Sequence, residues 1–71
     1  MKQKKQRDYQ QVECRFEGTN YQGRYYAEQG CVTVISKWGM KGDVFGNLGA
    51  ERMAWHLLRE LLEDTKRERT L

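Results

Sequence analysis

Tyr9 to Phe16 alternates in character: Val12, Cys14 and Phe16 fall on one side of an extended chain, and Gln11, Glu13 and Arg15 fall on the other. A period of two is the signature of a half-buried strand. Glu17-Gly18-Thr19-Asn20 follows as a turn signal, since Gly and Asn tolerate positive φ. A second strand is expected from Tyr21 to Ala27, with Gly23, Tyr25 and Ala27 inward and Gln22, Arg24 and Tyr26 outward. Glu28-Gln29-Gly30 reads as a hairpin loop.

Cys31 to Lys37 has the highest content of β-branched residues in the chain and is expected as the third strand, with Val32 and Val34 inward and Thr33, Ile35 and Lys37 outward. Trp38-Gly39 forms the next corner. Met40 to Phe45 is a shorter candidate fourth strand, interrupted by Gly42.

Leu48 to Arg67 changes period. With Met53 set at zero and about 100° per residue, Ala50, Ala54, Leu57 and Leu61 lie within the first ~100°. Leu58, Leu62 and Trp55 continue the apolar arc to about 200°, and Arg52, Arg59, Glu63 and Lys66 occupy the remainder. Asn47 is the expected N-cap, without a capping box because Ala50 stands three residues later. Glu63 and Arg67 form a favourable i,i+4 pair.

The fold class that follows is α+β: an antiparallel meander of three or four strands with one C-terminal helix packed on one face. In this reading the Ala50–Met53–Leu57–Leu61 stripe covers the sheet. The Trp55–Leu58–Leu62 edge is then spare and becomes a candidate partner contact, most simply in a homodimer.

Charge sharpens the division of the chain. Residues 1–7 carry four of the thirteen Lys and Arg and none of the ten acids. Residues 1–8 are therefore expected to be a disordered basic tail, and 9–71 a single, nearly neutral domain. That excludes a globally basic nucleic-acid binder but leaves a local patch or basic arm open. The outward sheet face supplies such a patch from Arg15, Arg24, Tyr26 and Lys37, with Lys41 nearby. Aromatics among cations can stack bases and neutralise phosphates. Glu13 and Glu28 share the face.

Catalytic and metal chemistry find little support. Cys14, Cys31 and His56 are the only soft ligands, and they form neither a Cys-x-x-Cys nor a His-x-x-x-His pair. The two cysteines have opposite parity on their strands. No third group is placed to orient a Cys-His nucleophile pair. Gly39, Gly42, Gly46 and Gly49 match neither the phosphate loop nor the dinucleotide fingerprint, and read as turn glycines. No cofactor and no enzymatic activity are expected. The polar run after Met1 is no leader peptide and no apolar stretch could span a bilayer, so a cytoplasmic protein with reduced thiols is expected.

The runs Gly23-Arg24-Tyr25-Tyr26-Ala27 and Gly30-Cys31-Val32-Thr33-Val34, followed by Lys41, Gly46 and Leu57-Leu58-Arg59-Glu60-Leu61, resemble a group of short uncharacterised bacterial proteins. The resemblance covers about residues 23–62 and implies a bacterial origin without an activity. In topology alone, the expected strands and helix are similar to the amino-terminal DNA-binding domains of tyrosine recombinases, which lay their sheet in the major groove. Two function classes follow: a self-associating interaction module that uses the helix edge, and a nucleic-acid-binding module that uses the open sheet face and the basic tail.

Overall fold

A computed structural model describes residues 8–68. The strands are β1 (Gln10–Phe16), β2 (Thr19–Glu28), β3 (Cys31–Ser36) and β4 (Gly39–Val44). They form one antiparallel sheet in the order β1-β2-β3-β4. A 3-10 turn at Gly46–Leu48 leads into the helix α1 (Ala50–Arg67), which packs on one face. The expected α+β meander is therefore the observed fold, with Gly39–Val44 as its fourth strand. Of the expected basic tail, residues 1–7 lie outside the described residues.

Each hairpin closes with two residues, so β2 runs further into its turns than the sequence implied, whereas Lys37, expected in the third strand, lies with Trp38 in the turn between Ser36 and Gly39. Glu17 and Gly18 take φ of 52° and 83°, and Gln29 and Gly30 take 51° and 79°. Paired positive φ values give the turn a twist that matches the flanking strands. Thr19 and Asn20, expected in the first turn, instead pair with Phe16 and Arg15.

The inward parity of β1 to β3 follows the alternation. Val12, Cys14, Phe16, Tyr25, Val32 and Val34 are buried against Ala54, Leu57, Leu58, Leu61 and Leu62. Gly23 gives this layer its close approach. A Cβ built there would lie 3.4 Å from a Leu58 methyl and 3.3 Å from the Ile35 carbonyl oxygen. The bare backbone of β2 is thus the floor on which Leu58 rests.

The helix sits differently from the expected stripe. Its buried residues are Ala54, Leu57, Leu58, Leu61, Leu62 and Thr65, while Ala50, Met53 and Trp55 are half-buried at its margins. Leu58 and Leu62 are each 0% exposed. As partner contacts these two are corrected: they form the centre of the core. A four-stranded sheet is wide enough to cover the middle of the apolar arc, so of the expected spare edge only Trp55 remains at a border. The Thr65 hydroxyl, buried at the last turn, donates to the Leu61 carbonyl at 2.8 Å.

The expected cap at Asn47 is also corrected. Gly49 is the N-cap, at φ 93° and ψ 153°, and no side chain caps the helix. Asn47 lies one turn earlier, inside the 3-10 turn.

Candidate nucleic-acid interface

The outer face of the sheet can be read row by row from the strand register. One row runs Gln11, Arg24, Ile35, Met40, and the next runs Tyr26, Thr33, Gly42. Tyr9 extends the second row, with its ring centroid 5.6 Å from that of Tyr26. The Arg24 guanidinium lies 5.0 Å from the Tyr9 ring centre, a cation–π distance. Beside this cluster, Gln11, Gln22, Arg24, Ile35 and Lys37 line a shallow depression. The Lys37 ammonium stands 5.5 Å from the Trp38 ring centre, and Trp38 is fixed edge-on against Tyr21 at 5.2 Å.

Of the expected cationic set, the structure therefore brings Arg24, Tyr26 and Lys37 together. Arg15 is on the same face but at the far end of β1, opposite Asn20. It borders a separate groove with Glu17, Arg59 and Glu63. Lys41 does not belong to this face, which corrects its placement. It pairs with the inward Val34 across the β3–β4 ladder and points toward the helix, 3.3 Å from Asp64 and 3.5 Å from Glu60. The hydrogen bond from Lys41 holds the Asp64 carboxyl below its usual range, with Arg67 contributing. The same bond raises the Lys41 ammonium.

Tyr9, Gln11 and Gln22 were missing from the expected site. Tyr9 shares the parity of Gln11, Glu13 and Arg15, so continuing the alternation one step back places it on the outer face.

Of the remaining helix-side Lys and Arg among the described residues, three are also engaged and Arg52 is not. Arg59 pairs with Glu63 at 3.0 Å, Arg67 with Asp64 at 3.0 Å, and Lys66 with Glu17. Among the described residues, Arg15, Arg24 and Lys37 have no carboxylate within ion-pair distance.

Trp55 borders β1, beside Val12 and Glu13, and its ring meets that of His56 edge-on at 5.1 Å. Arg59 lies over both Trp55 and Phe16. Trp55 is thus a partly covered lid on its own core.

The two thiols lie on opposite faces of the sheet: Cys14 is buried and Cys31 exposed. Burial raises the Cys14 thiol above its usual range, with Arg59 partly offsetting this and Glu63 adding to it. Because the thiolate is the nucleophile, one thiol, Cys31, is expected to react rapidly with Ellman's reagent in the native protein, and both after denaturation. Rapid native reaction of both would contradict the burial of Cys14.

Among the described residues no cluster of His, Cys, Asp and Glu could hold a metal ion. No helix there is long and apolar enough to cross a membrane. Comparisons with known protein families, with curated proteins and with solved structures each found no match.

Proposed function

We propose that the protein is a small non-enzymatic interaction module whose working surface is the outer face of the sheet, and that this face binds nucleic acid through the phosphate backbone. The observation that carries the reading is the segregation of charge. Four of the five described Lys and Arg on the helix side, Lys41, Arg59, Lys66 and Arg67, are in ion pairs with carboxylates, Arg52 being the exception. Arg15, Arg24 and Lys37, on or beside the outer face, are not. A near-neutral domain can thus still present unneutralised cations on one surface.

Chemistry beyond charge favours the same face. Tyr9, with Tyr26 beside it, places an aromatic ring next to Arg24, which suits base stacking beside a phosphate contact. The basic run Lys2, Lys4, Lys5 and Arg7 ends two residues before Tyr9 in the sequence and adds four positive charges to the chain. Glu13 and Glu28 limit the strength of the field.

Binding of a labelled short duplex and a short single strand, followed by anisotropy across a salt series, tests the proposal. Affinity is expected to fall steeply with salt, because bound cations displace condensed counterions. The double variant Arg24→Glu, Lys37→Glu is expected to weaken binding about tenfold or more and to lower the salt slope by about two. No binding to either probe at low salt rejects the proposal, as does a double variant that binds like the parent.

Self-association is the second reading. It is favoured by the exposure of Met40 and Val44, at 67% and 60%, and no longer by the helix edge.

A further inference from the structure

The structure assigns the edge strand β4 as a two-fold interface with a second copy of this chain, centred on Gly42. β4 is the last strand of the sheet, and of its six residues only Lys41 is half-buried, the others being exposed. The Phe45 amide donates to the Gly30 carbonyl at 3.1 Å. Because antiparallel hydrogen-bonded pairs alternate, Lys41 and Asp43 also turn their peptide groups toward β3. Met40, Gly42 and Val44 turn theirs to the open side. An open row of this kind is a template for another strand.

The side chains of β4 are complementary to themselves in one antiparallel register. With Gly42 opposite Gly42 of the second copy, Met40 falls opposite Val44 and Lys41 opposite Asp43, each twice by symmetry. The Met40–Val44 pairs lie on the outer face, where both side chains are exposed. The Lys41–Asp43 pairs lie on the helix face, in the non-hydrogen-bonded positions where side chains come closest. Registers shifted by one position to either side set Lys41 against Lys41, or Asp43 against Asp43. Charge thus selects the Gly42 register over its neighbours.

Two present contacts would change. The Val44 amide now donates to its neighbour's Asp43 Oδ1 at 2.8 Å. In the paired form it donates to the Met40 carbonyl of the other copy, and the Asp43 carboxylate turns toward the opposing Lys41. Lys41 keeps Glu60 and Asp64 and uses its third N–H. A two-fold axis through this pair stands perpendicular to the sheet, so the two sheets become one, with both helices on the same side. This interface specifies the self-association reading and does not depend on nucleic-acid binding.

Sedimentation equilibrium of the full chain, under reducing conditions and up to about 0.5 mM, tests it in a range where weak association is populated. The parent is expected to dimerise. Val44→Lys and, separately, Asp43→Lys are expected to weaken the dimer at least tenfold with circular dichroism unchanged, because both positions are exposed in the single chain. Trp55→Ala is expected to leave the dimer constant unchanged. A parent that stays monomeric overturns the interface and the self-association reading together. A dimer that survives both β4 variants, or that Trp55→Ala breaks, overturns the interface alone.

Discussion

Replacing Leu58 with Ala is expected to lower the stability of the domain by about 2–5 kcal/mol, the range for truncating a leucine in a core that cannot fully collapse. Leu58 is 0% exposed and packs against the bare backbone at Gly23. No side chain on that part of β2 can relax into the space a missing isobutyl group leaves. A chain of 71 residues has roughly 4–11 kcal/mol of stability in all, so the loss is a large share of the total. Urea unfolding followed by circular dichroism checks it. The experiment also separates two roles for this residue. A contact residue on a free helix edge would weaken association and leave the unfolding midpoint in place. A core residue shifts the midpoint whatever the protein concentration.

Gly49→Ala is expected to cost about 1–3 kcal/mol, through the backbone alone. At φ 93° and ψ 153°, Gly49 occupies a region that residues with a Cβ scarcely enter. A Cβ placed there meets nothing within 4 Å, so crowding by neighbours adds nothing to the cost. The matched control is Asn47→Ala. Its side chain caps nothing, and a change within about 0.5 kcal/mol is expected. Equal losses from the two substitutions in thermal unfolding would return the capping role to Asn47.

The parts of the fold that were legible in the sequence are those in which one face is buried and the other solvated. Val12, Cys14 and Phe16, and then Val32 and Val34, declared both their strands and their inner faces, because a slip of one residue would expose them all. The class of the helix was equally plain. Its rotation was not, because an apolar arc of about 200° has no obvious centre and the width of the opposing sheet is not written in the helix. Leu58 and Leu62 were therefore assigned to a margin when they form the middle.

Lys41 was misplaced for a related reason. In β4 the apolar residues Met40 and Val44 face solvent, so local hydrophobicity gives no guide to its inner face. The two-residue turn Lys37-Trp38 sets the register instead, placing Gly39 opposite Ser36 and Lys41 opposite Val34. Turn length, rather than residue type, would have located it. Within the candidate site, Arg24, Tyr26 and Lys37 were legible from parity. The contact of Arg24 with Tyr9 depends on how the chain enters β1, which alternation does not encode.

The order of elements along the chain has a consequence for its synthesis. Every strand pairs with its sequence neighbour, so hairpins can close within microseconds of being made. Their cover arrives later, because the buried positions of α1 run from Ala54 to Thr65. At 5–20 residues per second, the interval from Val44 to Thr65 lasts roughly 1–4 s. Until α1 is complete, Val12, Phe16, Val32 and Val34 lack the cover they have in the finished fold. Slowing translation over the helix would lengthen that exposure without altering a single contact in the finished fold.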